Sequence, residues 1–167
     1  MVKVYSKFLL LAKKLGAQNA KIIRPGTVKT AAWVGFKCRF GCGGYNSNLC
    51  CPPHTPTYDE TQAVLSSYKT AMLIHCGPDS HPTEIVVKLE REMFLAGYYK
   101  AFGLGAGPCF ACRPCNLKKC INPETSRPSL ESCGIDVYET VRTNGFPIKV
   151  AEQENSEVNY YGLLLIE

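Results

Sequence analysis

The sequence Cys-Phe-Ala-Cys-Arg-Pro-Cys-Asn-Leu-Lys-Lys-Cys, at residues 109–120, places four thiols within twelve residues. Its spacing is C-x2-C-x2-C-x4-C, and the chain continues with Ile-Asn-Pro. Two-residue gaps bring successive thiols to one small object, which suits a cubane iron–sulfur cluster with one thiolate for each iron. The bacterial ferredoxin run C-x2-C-x2-C-x3-C-P differs by one residue and by the position of its proline. The stretch therefore predicts a metal or cluster site.

Two other interpretations of this stretch stay open. A structural zinc also takes four cysteines, although zinc sites usually pair two C-x2-4-C knuckles across a longer loop. Disulfides need an oxidising compartment. The sequence shows neither a secretion signal nor the roughly 18 consecutive apolar residues of a membrane span. We therefore expect a cytoplasmic protein with reduced thiols and no membrane partner.

Length and charge narrow the function further. A chain of 167 residues predicts a single domain, residues 1–167, and ten cysteines are many for an intracellular protein. The net charge is +5, but the basic residues are scattered, so no nucleic-acid partner is expected. Some basic residues do lie near cysteines, where they would stabilise an anionic cluster or simply keep the surface soluble: Lys37, Arg39, Arg113, Lys118 and Lys119.

A second cysteine group reads Cys38-x3-Cys42-x7-Cys50-Cys51-Pro52-Pro53, with glycines at 41, 43 and 44. Glycine lets the backbone approach a cofactor closely. Because adjacent cysteines rarely point at one centre, we expect one ligand from the Cys50–Cys51 pair. Cys51 is favoured, since ferredoxin runs end in Cys-Pro. The plainer alternative is a glycine-rich turn with incidental thiols.

Hydrophobic periodicity and capping signals predict helices that alternate with strands. The helices are expected at 3–16, after the Thr57–Glu60 capping box, after Pro82 and between Gly134 and Gly145. Strands are expected at 20–23, 30–36, 70–76, 148–150 and 160–166, with an extended piece at 98–104 and a polar turn at 152–159. The prediction is an α+β (mixed α/β) fold with a mixed sheet of about four or five strands, packed helices and converging cysteine loops.

The ordered set of motifs resembles a known prokaryotic family, the domain of unknown function 2284, described as predicted metal-binding proteins. The motifs that carry the resemblance are Cys38-x3-Cys42, Cys51-Pro52-Pro53, Gly97-Tyr98-Tyr99-Lys100-Ala101, Gly107-Pro108-Cys109-x2-Cys112-x2-Cys115-x4-Cys120, Arg127-Pro128-Ser129-x-Glu131, Gly134-Ile135-Asp136-Val137 and the closing Gly162-Leu163-Leu164-Leu165-Ile166. The resemblance implies metal or iron–sulfur binding in bacteria and archaea, often anaerobes. It implies no particular reaction.

The family pattern omits Cys50, Cys76 and Cys133, which leaves seven expected metal ligands: Cys38, Cys42, Cys51, Cys109, Cys112, Cys115 and Cys120. Seven thiols are one short of two [4Fe–4S] clusters, so one or two clusters are possible. The eighth ligand could be Cys50, Cys76, Cys133 or His54, although Cys76 ends an apolar run and suits a packed core thiol better. Alternatively, Cys120 or Cys51 could serve the opposite group, or a three-cysteine cluster could leave one iron open.

Three functions are compatible with these residues. The first is an electron carrier or redox adaptor with a redox partner protein, because no nucleophile elbow, phosphate loop or zinc-protease helix is present. The second is a structural zinc protein that acts as an interaction module. The third is an enzyme with an open-site cluster, assisted by His54, Arg127, Ser129 or Glu131, although Arg127 and Glu131 more often form a local ion pair or cap. We expect that the protein is not an enzyme by itself.

Overall fold

A four-stranded antiparallel sheet organises the computed structural model, which describes residues 2–150 and 158–167. The strands are β1 (Asn19–Ile23), β2 (Ala71–Cys76), β3 (Phe102–Leu104) and β4 (Tyr160–Leu165), in the order β1-β2-β4-β3. All three pairings are antiparallel. The predicted α+β class and strand number are confirmed.

Five α-helices surround the sheet in the described ranges. They are α1 (Val2–Lys14), α2 (Ala32–Gly41), α3 (Tyr58–Ser66), α4 (Pro82–Leu95) and α5 (Val137–Thr143). Short 3-10 turns occupy Pro25–Thr27 and Glu131–Cys133. None of the helices described is both long enough and apolar enough to cross a membrane.

The core lies on both faces of the sheet, because side chains along a strand alternate between its faces. In β2, Ala71 and Leu73 pack with residues around α3 and α5, whereas Met72, Ile74 and Cys76 pack with α1 and α4. Every residue of β2 is therefore buried. Burial on both faces explains why β2 and β4 read as continuous apolar runs in the sequence.

Close packing at the end of β3 fixes the base of the loop at 106–128, which we call the late loop. Gly105 lies so close to α4 that a Cβ atom there would sit 2.1 Å from Thr83 Oγ1. The Gly105 N–H donates to the Pro128 carbonyl at 2.8 Å, and its carbonyl accepts from the Leu130 N–H at 3.1 Å. The late loop therefore leaves the sheet and returns to it at one point.

Most predicted elements are confirmed. The helices expected at 3–16, after Thr57, after Pro82 and near 137–143 are present, and the Thr57–Glu60 capping box has both of its hydrogen bonds. The strands expected at 20–23, 70–76 and 160–166 are β1, β2 and β4. Of the extended piece at 98–104, only Phe102–Leu104 is a strand. The polar turn predicted at 152–159 lies largely outside the described residues, which omit 151–157.

Two predicted strands are wrong. Residues 30–36 form one β-bridge, between Thr30 and Ile135, and then enter α2. Only Val34 is buried along that helix, so its β-branched and aromatic residues do not line a sheet. Residues 148–150 have no strand pairing. Ile148 meets the core only through its side chain, and the preceding Pro147 has no N–H to donate to a ladder.

Candidate metal centre

The cysteines expected to bind metal lie on two segments. Cys38, Cys42 and Cys51, the early group, occupy the end of α2 and the loop that leads to α3. Cys109, Cys112, Cys115 and Cys120, the late group, all lie on the late loop. None of these seven thiols forms a disulfide.

The early group is assembled by the end of α2 and a glycine turn. Cys38 lies in the last turn of the helix and Cys42 is its C-cap residue, so the two are one helical turn apart. The sulfurs of Cys42 and Cys51 lie 3.5 and 3.6 Å from the position that a Cβ atom on Gly44 would take. A side chain at residue 44 would therefore crowd both sulfurs. The Cys38 thiol points toward the Glu131 carbonyl, with a sulfur–oxygen distance of 3.9 Å.

Amide groups donate hydrogen bonds to the sulfurs of the early group. The Gly44 N–H lies 3.4 Å from Cys42 Sγ, and the Asn48 side-chain amide donates to Cys51 Sγ at 3.3 Å. The same Asn48 side chain accepts from the Cys50 N–H at 3.0 Å, which fixes the turn. Donors of this kind stabilise negative charge on metal-bound sulfur and tune reduction potentials.

The late group is held together through Ser126. The thiols of Cys109 and Cys120 both donate to the Ser126 hydroxyl, at 3.6 and 3.5 Å. Cys115 lies close enough to Cys112 to raise the pKa of its thiol, although burial is the larger cause. Hence the four late cysteines form two neighbouring pairs within a single loop.

An ion pair anchors the late loop to α4. Arg127 donates to both carboxylate oxygens of Glu90, at 2.8 Å from Nε and 2.5 Å from Nη2. Its Nη1 atom donates to the Pro123 and Ser126 carbonyls. Of the two local roles expected for Arg127 and Glu131, an ion pair or a cap, the ion pair between them is not formed, because the partner of Arg127 is Glu90 on α4. Glu131 is the first residue of the 3-10 turn Glu131–Cys133. The anchor fixes the backbone that presents Ser126 to the thiols.

The two groups meet at the Cys50–Cys51 pair. Cys109 and Cys120 are both close enough to Cys50 to act on its thiol electrostatically. Cys51 faces Cys42 and Cys109. Two loops separated by more than fifty residues in sequence thus bring their sulfurs to one region of the molecule.

Burial keeps several of these thiols protonated. It raises the pKa of Cys50 to about 12, and the neighbouring Cys109 adds to that effect. Burial also raises the pKa values of Cys38 and Cys51, although the Asn48 hydrogen bond partly offsets the increase at Cys51. The thiolate is the form that binds metal, so loading at neutral pH must release protons.

The four candidates for an eighth ligand lie in different surroundings. Cys76 and Cys133 belong to the two hydrophobic clusters of the core, as expected for Cys76. His54 is exposed, and its Nε2 atom lies 2.9 Å from Asn46 Oδ1. Only Cys50 contacts a cysteine of the late group. The sequence favoured Cys51 over Cys50 and did not indicate that Cys50 also lies near Cys109 and Cys120.

The residues suggested as catalytic assistants have structural partners. Arg127 is held by Glu90, His54 by Asn46, and the buried Ser129 hydroxyl accepts from the Ser132 N–H at 3.1 Å. Glu131 offers its carbonyl to Cys38. These contacts indicate roles in positioning the cysteine loops.

All seven expected metal ligands are cysteine thiols. Over residues 2–150 and 158–167, no three His, Cys, Asp or Glu side chains approach closely enough to hold one metal ion. A cubane of four irons and four sulfides occupies the space between its thiolates, so its ligands lie farther apart than those of one ion. Sulfur ligands alone are typical of iron–sulfur and zinc sites.

Comparison with protein families gives one match. A family model described as "Predicted metal-binding protein (DUF2284)" matches residues 21–166. Searches of curated proteins and of solved structures return no match.

Proposed function

The chain belongs to the DUF2284 family of predicted metal-binding proteins, and from that premise we propose that it is an iron–sulfur protein that transfers electrons to or from a redox partner. The observation that carries the proposal is that the two cysteine loops converge, because Cys109 of the late group lies near both Cys50 and Cys51. This convergence brings the cysteine thiols near the N–H donors of Gly44 and Asn48 and the guanidinium of Arg127. A [4Fe–4S] cluster bound there would supply one-electron transfer.

The surrounding residues suit an anionic cluster. Gly44 and Asn48 direct N–H groups at sulfur, and the Arg127 guanidinium lies near Cys50. Hydrogen bonds and nearby positive charge stabilise the more negative, reduced state. A zinc site that serves only structure has no redox couple for these groups to tune.

The charge distribution supports an acidic redox partner. Residues 24–58 and 93–123 contain eight of the ten cysteines and eight Lys or Arg residues, but no Asp or Glu. Lys37, Arg39, Arg113, Lys118 and Lys119 are exposed there. Exposed aromatic rings lie among them, namely Trp33, Phe36, Phe40 and Phe110. A basic and aromatic surface around the cysteines favours docking of a protein with an acidic face.

A reductive titration tests the electron-transfer proposal. The protein should be purified without oxygen and titrated with dithionite while visible absorption and EPR spectra are recorded. We expect a brown protein that bleaches on reduction, gains a paramagnetic signal and recovers on reoxidation. A colourless protein that takes up no electrons and unfolds on chelation would instead indicate structural zinc.

The partner proposal is tested by the salt dependence of electron transfer. The reduced protein would be mixed with ferricyanide, an anion, or with hexaammineruthenium(III), a cation. The basic surface attracts the anion and repels the cation, and dissolved salt screens both interactions. Rising ionic strength should therefore slow the reaction with ferricyanide and accelerate the reaction with hexaammineruthenium(III). A double variant with Lys118→Gln and Lys119→Gln should show a weaker dependence of the rate on salt. A control double variant, with Lys13→Gln and Lys14→Gln at exposed positions on α1, should keep the wild-type salt dependence. Equal salt dependence for both oxidants would contradict the proposal.

A further inference from the structure

We infer that Cys50 is a metal ligand, and that the adjacent residues Cys50 and Cys51 bind two different centres, one on the side of the late group and one on the side of the early group. This inference rests on the proposed iron–sulfur function. It adds an eighth sulfur ligand and divides the pair between two sites.

The burial of Cys50 and Cys51 differs from that of Cys76 and Cys133. Cys50 and Cys51 are each 8% exposed, yet neither belongs to the two hydrophobic clusters of the described chain. Cys76 and Cys133 are buried within those clusters. A structural thiol normally packs as a small hydrophobe. Cys50 is instead buried outside both clusters, near the thiols of Cys109 and Cys120.

Two cysteines of the late group lie near Cys50. Both Cys109 and Cys120 are close enough to act on its thiol electrostatically. Cys109 and Cys120 already share the Ser126 hydroxyl, so three sulfurs surround one small region. The Arg127 guanidinium is close enough to interact with Cys50. Three thiols with a nearby cation form a suitable environment for an anionic cluster.

Cys50 and Cys51 are adjacent in the chain, but only Cys51 has Cys42 as a neighbour and only Cys50 has Cys120, while both lie near Cys109. Neighbouring residues in a chain seldom direct their side chains at one point. Cys51 shares the Gly44 turn with Cys42 and accepts from Asn48. Cys50 faces the late loop. The steric objection to two adjacent ligands therefore disappears, because each cysteine serves its own centre.

Including Cys50 completes the ligand count. The early group supplies three thiols, and the late group with Cys50 supplies five, which makes eight. Two four-thiol sets then require one late-loop cysteine to bind the early centre, as in two-cluster ferredoxins, where the fourth cysteine of a run binds the other cluster. Every iron would have a thiolate. This count favours an electron carrier over an enzyme with an open iron.

If Cys50 and Cys51 each bind a different centre, the two centres lie close together. They would be separated only by two cysteine side chains and the backbone between them. Two reduced clusters at that separation interact magnetically. The fully reduced protein should therefore give an EPR spectrum broadened by spin coupling, and a variant with one centre should give a simple spectrum.

The test compares Cys50→Ala with the matched control Cys76→Ala, a buried thiol inside the hydrophobic core. Each protein, purified without oxygen, would be assayed for iron and sulfide per chain and for the EPR spectrum after full reduction. We expect Cys50→Ala to lose between one iron and about half of the wild-type iron, and to lose the coupled spectrum. Cys76→Ala should keep both. Wild-type iron content and spectrum in Cys50→Ala would overturn the inference.

A second variant keeps the test decisive if Cys50→Ala does not fold. In Cys50→Ser, an oxygen can replace the sulfur on iron, so the iron should be largely retained while the EPR spectrum of one centre shifts. An unchanged spectrum with full iron would overturn the inference. Wild-type protein without iron would contradict the proposed function itself, which is a separate result.

Discussion

Four cysteines of this protein are buried, and they form two contrasting pairs. Cys76 and Cys133 lie within the hydrophobic clusters on opposite faces of the sheet. Cys50 and Cys51 are almost equally buried, but their neighbours are other thiols, Asn48 and Arg127. Burial alone therefore does not distinguish a packing thiol from a candidate ligand. The chemistry of the surrounding groups does.

The contrast extends to whole regions. The sheet is stabilised by apolar burial on both faces, whereas the cysteine loops have few buried apolar side chains. Their order depends on Ser126, Asn48, the Arg127–Glu90 pair and, in our proposal, on the bound cluster. The predictions below test whether the two regions respond differently.

Removal of the cluster should have the largest effect, and it should affect the loops alone. Oxidative loss or chelation of the metal removes the bonds that tie the early and late groups together. We expect amide exchange within 42–56 and 106–126 to accelerate at least tenfold, because these segments lack a hydrophobic core. Exchange in β2 and β4 should stay unchanged. Equal acceleration in the sheet would contradict a separate metal-dependent region.

Loss of the Arg127–Glu90 ion pair should have the next largest effect. The two side chains are only 12% and 15% exposed, so Arg127→Met leaves a largely buried carboxylate without its partner. We expect a loss of about 3 kcal/mol in the free energy of unfolding. Denaturant unfolding measures this loss. Arg142→Met on α5, where the arginine is exposed, is the control and should change stability by under about 1 kcal/mol.

Alkaline pH should destabilise the protein through its core thiols. Burial raises the pKa of Cys76 to about 11, from an ordinary value of 9.0. The unfolded chain loses this proton first, so the stabilising contribution is complete below pH 9 and declines as the pH rises to 11. The decline would be about 2 kcal/mol at most. The free energy of unfolding should fall less between pH 8 and pH 11 in Cys76→Ala than in the wild type. An equal fall in both proteins would show that Cys76 does not contribute to the alkaline destabilisation.

The smallest effect is expected for Cys133→Ala. The substitution removes a sulfur from the hydrophobic cluster around Leu130 and Ile135, and should cost about 1 kcal/mol in the free energy of unfolding. Metal content should not change. The parallel variant Cys51→Ala, in contrast, should lose metal. If Cys133→Ala also lost metal, the division of the buried cysteines into two kinds would fail.

Much of the fold could be predicted because its signals are local. The Thr57–Glu60 capping box and Pro82 mark helix starts, and the apolar runs of β2 and β4 mark central strands. Residues 30–36 misled the prediction, because Val34 and the aromatic residues suggested a strand. The spacing of Cys38 and Cys42, one helical turn apart, was the signal that could have indicated α2.

The candidate site was less predictable, because its decisive contacts are long-range. Nothing near Arg127 in the sequence points to Glu90, which lies on α4. Similarly, the sequence shows that Cys50 and Cys51 are adjacent, but not that Cys50 faces Cys109 across the molecule. Likewise, no local signal shows that the Gly105 N–H donates to the Pro128 carbonyl or that Gly105 packs closely on Thr83.

The central claim is that the cysteines outside the hydrophobic core hold iron and sulfide. The most direct test is the number of iron, zinc and acid-labile sulfide atoms per chain in protein purified without oxygen. We predict iron and sulfide in equal amounts, about eight of each for two [4Fe–4S] clusters, with negligible zinc. Stoichiometric zinc without sulfide would contradict it.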